Sequence, residues 1–356
     1  MENAAVVWWL RVVALMVLAT LVVGGATRIT DSGLSIVEWA PILGVIPPLT
    51  AAGWEAALEA YRQIPEYQLQ NRGMSMADFQ FIYWWEWGHR IIARLIGIVF
   101  LVPFVIFWMR GQLPSWFKPW GVFLLALGGL QGFVGWWMVS SGLTERVDVS
   151  QYRLATHLLL ACVILALTVW LSVRVGGRVS ARSGGRWRAI TGGMGAGAIV
   201  VQVGLGARGA GSEAGLASNT WPKMLGEWVP PQLGYMTPAW VNAFENHITV
   251  QFNHRMAGYA VLLLALTHAV LAVRAGGVVA ARGLAIAALV VVQAVSGIGL
   301  VVWYVPALLA SAHQVGAAIT LWIAAEHAAR FRAFEPRRGD QPLGSRLARL
   351  SRSSTA

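Results

Sequence analysis

Eight runs of about 20 apolar residues recur along the chain, each long enough to cross a hydrocarbon core as a helix. They fall at roughly 9–28, 85–108, 119–140, 155–174, 189–208, 249–272, 283–303 and 308–329. The polar segments between them are short, except for 29–84 and 209–248. This pattern predicts an all-α integral membrane protein with eight transmembrane helices and little soluble mass. The first run (MENAAVVWWLRVVALMVLATLVVGGATR) lacks a basic n-region and a clear small-x-small cleavage site, so it reads as an uncleaved first span.

The halves of the pattern resemble one another. ATLVVGGATRITDSGLSI (19–36) parallels AIVVQVGLGARGAGSEAGLA (198–217), and GLQGFVGWWMVSSGL (129–143) parallels VQAVSGIGLVVWYVP (292–306). Each half holds four spans, which gives both the same orientation in the membrane. The expected architecture is therefore two pseudo-symmetric four-helix bundles in a parallel tandem repeat. The divisions are 1–175, a Gly/Arg/Ser linker at 176–188, 189–330, and a basic tail at 331–356.

Composition agrees with the pattern. The 356 residues are 57% hydrophobic and only 12% charged, with mean hydropathy +0.59. The net charge of +11 does not point to nucleic acid, because most of the arginines sit in a few short inter-helix segments and the tail. Arg11, the 110–118 and 174–188 loops, Arg274, Arg282 and the tail lie on one side, so the positive-inside rule places both termini in the cytoplasm. The chain then interacts with a lipid bilayer and not with nucleic acid. Its single cysteine, Cys162, lies inside an apolar run and reads as a small buried residue. Arginine-rich, lysine-poor usage points to a bacterial plasma membrane.

Two segments carry the candidate chemistry. YWWEWGHRIIARLIG (83–97) opens the second span with Glu86, His89 and Arg90, and VQFNHRMAGYAVLLL (250–264) opens the sixth with Gln251, His254 and Arg255. The His-Arg pairs are 165 residues apart, and His157 and His313, near the starts of the fourth and eighth spans, are 156 apart. Polar residues inside spans are costly. One such histidine is usually a helix-to-helix hydrogen bond. Four at matched depth in a repeat point instead to two pairs, each ligating a haem iron from both sides. Two histidines per bundle are too few for a closed copper or zinc site.

Arg90 and Arg255 read as partners for haem propionates, against the alternative of headgroup snorkelling. Arg94 and Arg153 are weaker candidates for that role. Glu86 precedes His89 by three residues on the same helical face, where the second half has Gln251. A carboxylate can move protons or stabilise a cation and a glutamine can do neither, so the asymmetry assigns chemistry to the first bundle and a permanent haem to the second. The simpler reading is an i, i+4 ion pair with Arg90. His247, His268 and His327 stand outside the repeat and read as structural or solvent-facing. GLGARG (204–209) follows no strand and fails as a nucleotide motif. The tryptophans, Trp8 and Trp9 among them, read mostly as an interfacial belt.

On the Glu86-x-x-His89-Arg90 segment, His157, Asn253-His254-Arg255, His313-Gln314 and the Gly-rich stretch GGATRITDSGLSIVEW, nearly the whole chain resembles the haem A synthase family. The resemblance implies an oxidoreductase. Its substrate is haem O, and successive hydroxylations turn the methyl at ring position 8 into the formyl group of haem A for cytochrome oxidase. It implies that His89 and His157 bind the substrate haem with Glu86 in the reaction, and that His254 and His313 hold haem b as an electron relay. Haem O synthase and a ferredoxin-type or other electron donor are the implied partners, and homo-oligomerisation stays open. The chain lacks the paired loop cysteines of some bacterial members and so resembles the proteobacterial and mitochondrial branch. A diheme b-type membrane cytochrome would use the same histidines without needing Glu86. A repeat-built transporter would bind no haem.

Overall fold

A computed structural model describes residues 4–40, 43–144, 146–177 and 186–331. The tail at 332–356 and most of the 176–188 linker lie outside the described residues. Among the described residues all regular structure is helical apart from one isolated bridge. Among the described residues eight helices are long and apolar enough to cross a membrane. They are α1 (Ala4–Ile29), α4 (Met76–Met109), α5 (Phe117–Ser140), α6 (Gln151–Val175), α7 (Arg186–Gly211), α9 (His247–Val273), α10 (Gly277–Val302) and α11 (Ala307–Phe331). Three shorter helices, α2 (Ala51–Arg62), α3 (Pro65–Leu69) and α8 (Asn242–Glu245), lie in the two long connections, where apolar run length gives no signal.

The largest difference from the sequence pattern is the start of α4, nine residues before the apolar run at 85. Ser75 caps it, accepting from the Asp78 amide at 3.2 Å, so the helix begins where its first free N–H groups find a partner. Asn246 caps α9 in the same way, accepting from the amides of Ile248 and Thr249.

α1, α4, α5 and α6 pack together, and so do α7, α9, α10 and α11. α6 also packs on α7 and α11, and α1 on α11. The two sets differ at one seam. Among the described residues α9 and α10 pack along one another extensively, whereas α4 and α5 touch sparingly.

Pro103 lies inside α4 and cannot donate to the carbonyl of Val99. Trp9 of α1 fills that gap, its Nε1 donating to Val99 O at 2.8 Å. Its ring packs among Phe100, Phe104 and Phe117 and is 7% exposed. Trp9 is thus a core residue and not part of an interfacial belt, while its neighbour Trp8 is 67% exposed. Cys162 is buried between helices, as its apolar surroundings imply.

The long connections gather at one end, joined by Arg28–Asp148, Gln151–Glu245 and Asn219–Tyr304. There the segment after α1, together with α2 and α3, folds over the start of α4 on a core of Leu34, Leu58, Tyr61, Phe79 and Tyr83. At the opposite end Glu326 gathers Arg11, Arg282 and Arg330.

Candidate functional site

The four repeated histidines each stand against a glycine of a neighbouring helix. A Cβ on Gly24 of α1 would lie 2.8 Å from His89 Cε1, and on Gly135 of α5 2.9 Å from His157 Cε1. On Gly206 of α7 it would lie 2.9 Å from His254 Cε1, and on Gly297 of α10 3.3 Å from His313 Cε1. Any larger residue would push the ring aside. Each set carries two of these histidines on two helices, His89 on α4 with His157 on α6, and His254 on α9 with His313 on α11.

Three of the rings are also held from the side. Gln131 Nε2 is 3.2 Å from His157 Nδ1 and 3.4 Å from its Nε2, and Gln202 stands at the same distances from His254. Each amide also donates to the carbonyl of its histidine. Ser296 Oγ bonds His313 Nδ1 at 2.8 Å. The buried Nδ1 of His89 has no hydrogen-bond partner. Rings set by a glycine behind and a polar group beside are what a ligand histidine needs. Among the described residues no three His, Cys, Asp or Glu side chains converge on one point. The donor set is two imidazoles per helix set, which fits a haem held on both faces.

Glu86 is 3% exposed and fully engaged. Its Oε2 accepts from Ser35 Oγ and from the Ile36 amide, both at 2.7 Å. Its Oε1 accepts from Arg90 Nε at 3.0 Å and Nη2 at 2.5 Å. All four partners are donors, which is the surrounding of a carboxylate. The ion pair with Arg90 foreseen from the i, i+4 spacing is therefore present, but it is only half of the arrangement.

Gln251 meets the opposite surroundings. Its Nε2 donates to the carbonyls of Gly215 and Ser218 at 3.0 and 2.9 Å, and its Oε1 has no partner. Where Gly33-Leu34 is followed by Ser35, Gly215-Leu216 is followed by Ala217. The connection after α1 thus offers a hydroxyl and an N–H to an acid, and the connection after α7 offers carbonyls to an amide.

Arg90 and Arg255 do matching work. Arg90 donates to Ile36 O at 2.7 Å and Glu38 O at 3.2 Å; Arg255 donates to Ser218 O at 3.3 Å and Thr220 O at 2.9 Å. Each clasps its own connection to the helix that carries the histidine. Arg255 keeps a buried Nε without a partner. Arg94 donates to Ala40 O, and Arg153 lies over the Trp137 ring and donates to its carbonyl.

Of the histidines outside the repeat, His268 and His327 are buried and bonded to each other, Nε2 to Nε2 at 2.7 Å, with Thr191 Oγ1 2.7 Å from His268 Nδ1. They tie α9 to α11 and are not solvent-facing. His247 is exposed.

Fold and site together define a helical membrane protein with two sets of glycine-backed histidines, and among the described residues one set has a buried carboxylate beside it. Residues 7–325 match the cytochrome oxidase assembly protein family COX15-CtaA, and the chain belongs to that family. It is 46% identical over 334 residues to the haem A synthase of Parvibaculum lavamentivorans, covering 92% of this chain and 95% of that one. It is 50% identical over 327 residues to that of Chelativorans sp. strain BNC1, covering 90% and 89%. The haem A synthase of Bradyrhizobium sp. strain ORS 278 is 47% identical over 343 residues, covering 95% and 93%.

Proposed function

We propose that this chain oxidises a ring methyl of haem O to a formyl group, giving haem A for cytochrome oxidase. The observation that carries this reading is the inversion around Glu86 and Gln251. Two otherwise matching frames of histidine, glycine and arginine differ in whether a carboxylate is built in. A chain that only passed electrons would have no use for that difference.

In this reading the chain is a tandem repeat of two four-helix units, 1–175 and 189–330. Both termini are cytoplasmic in a bacterial plasma membrane, and the long connections face outward. His89 and His157 hold the substrate haem. His254 and His313 would hold haem b, which supplies a one-electron relay when bound. Glu86 stands one turn from His89 as a carboxylate fixed by Arg90, Ser35 and the Ile36 amide. An anion so held is preorganised to stabilise positive charge developing at the substrate methyl, and its donors need not rearrange. Ser35 positions that anion. Arg90 and Arg255 clasp the connections and, one residue past the ligands, serve as cations for the propionates; the unpartnered Nε of Arg255 suits that role. Haem O synthase would deliver substrate and a ferredoxin-type donor would supply electrons. Self-association is compatible with this layout.

The test is conversion of haem O by the purified full-length protein with a reductant and dioxygen, the oxidant that two successive hydroxylations of a methyl require, followed by haem extraction and mass identification. Haem A or its hydroxylated precursor is expected. Glu86→Gln should lower the yield by about 100-fold or more while leaving haem b in place. Undiminished haem A from Glu86→Gln would remove Glu86 from the reaction. Haem b alone, with haem O returned unchanged by the native protein, would support a diheme cytochrome instead.

A further inference from the structure

α5 presents one face toward α4 and α6, and that face is hollow in the middle. Gly121, Gly128, Gly132 and Gly135 fall within about 60° of one another around the helix. At one end Gly121 is pressed against the Phe104 ring of α4, and at the other Gly135 is pressed against His157 of α6. Between these two contacts Gly128 and Gly132 are exposed, and a Cβ on either would meet no atom within 4 Å. The facing wall on α4 is alike. Gly97 shares the helical face of Phe104 and Glu86, is exposed, and would also meet nothing. This is the seam at which α4 and α5 touch sparingly.

The second set of helices is built in the same register but is filled. Gly283, 162 residues after Gly121, is pressed against Ala272 of α9; Gly297, 162 after Gly135, is pressed against His313. At the same offset Gly128 becomes Val290 and Gly132 becomes Ala294, and at the 165-residue offset of the His-Arg pairs Gly97 becomes Leu262. Val290 is 5% exposed and lies in a core cluster against which Leu262 packs. Both ends of the seam are thus kept, while the three positions between them change from glycine to larger apolar residues.

We infer that the cleft between α4 and α5, lined by Gly97, Gly128 and Gly132, receives the isoprenoid tail of haem O. This rests on the reading of the first unit as the substrate site. The cleft runs from the level of His157 down to the Phe104–Gly121 contact, about 21 Å along α5. Its walls carry no polar side chain at these three positions, and it opens along its length to the lipid. A flexible apolar chain attached to a haem held at His89 and His157 lies naturally in such a groove. Haem b has no such chain, and the unit assigned to it has no such groove. The same opening lets a substrate with a long tail slide in from the bilayer without threading between closed helices.

The experiment fills the cleft with the residues of the second unit, Gly97→Leu and Gly128→Val, alone and together. A Cβ at either position meets no atom within 4 Å, and circular dichroism with retention of haem b checks that the variants fold. The full-length protein, carrying its haem b, is titrated with haem O and with haem B, followed by the Soret band, and conversion of haem O is measured in parallel. The filled variants should bind haem O at least about tenfold more weakly and bind added haem B as the native protein does. Equal weakening for both haems would overturn the proposal, since the cleft would then serve the ring and not the tail. Unchanged binding of haem O would also overturn it and leave the groove to a lipid chain. A native protein that binds haem O more tightly than haem B but makes no haem A would instead sink the proposed reaction while supporting the cleft.

Discussion

Glu86 and Gln251 occupy matching places one turn before a histidine, and the chain around each is cut to suit it. Ser35 against Ala217 is the clearest sign, since a hydroxyl appears only where an acid needs a donor. A second buried acid near the same cap behaves differently. Glu66 is 3% exposed and accepts from the Tyr61 hydroxyl at 3.1 Å, with Asn71 beside it. Burial pushes its carboxyl up to about 8 from its ordinary 4.5; the hydrogen bond from Tyr61 works the other way, and the charges of Asp31, Glu86 and Asp148 add to the rise. The folded cap therefore keeps a proton that the unfolded chain has already released between those two values. The contribution of Glu66 to its stability is full below about pH 4.5, is lost as the pH climbs to about 8, and is constant above that. Glu66→Gln should abolish this slope, matching the native protein at pH 4.5 and exceeding it at pH 8. Thermal unfolding or proteolysis of the 30–75 segment across that range is the check, and an unchanged slope in the variant would place its origin elsewhere.

At the scale of the helices, Pro103 and Trp9 form a matched pair. A proline inside a membrane helix frees a carbonyl that the lipid cannot satisfy. Trp9→Phe keeps much of the ring packing but strands Val99 O, which should cost about 1 kcal/mol. In a Pro103→Ala background position 103 can donate to Val99 itself, and the same Trp9→Phe change should then cost less. A double-mutant cycle on unfolding in detergent measures the coupling, and additive effects would refute it.

The positions of the eight long helices were legible because twenty apolar residues leave few alternatives, and the histidines and Glu86 were legible because a repeat set them in register. Ser35, Gln131, Gln202 and Ser296 were not, since each acts across a helix interface whose rotation the sequence does not state. Trp9 reads as interfacial in the sequence because a tryptophan near a helix start ordinarily is; only the proline 94 residues later, together with the packing of α1 on α4, gives it another task.

On the scale of the whole molecule, the proposed units share a wide boundary, α6 lying on α7 and α11, and α11 on α1, where Gln314 Nε2 donates to Leu21 O beside Gly25. Rings in one unit thus sit on helices braced by the other, yet each histidine pair is complete within its own set of helices. The proposed division of labour predicts that ligand loss is local. His313→Ala should remove the haem b assigned to its unit, along with most of the Soret absorbance and the stability that a bound ligand adds. His157→Ala should keep that haem and its absorbance while abolishing haem A formation, because only the substrate side loses its second ligand. Haem content by pyridine haemochrome on both purified variants decides the matter. Equal loss from either substitution would mean that one haem is shared or that the units do not fold apart, and the boundary through α6 and α11 would then be part of the site itself.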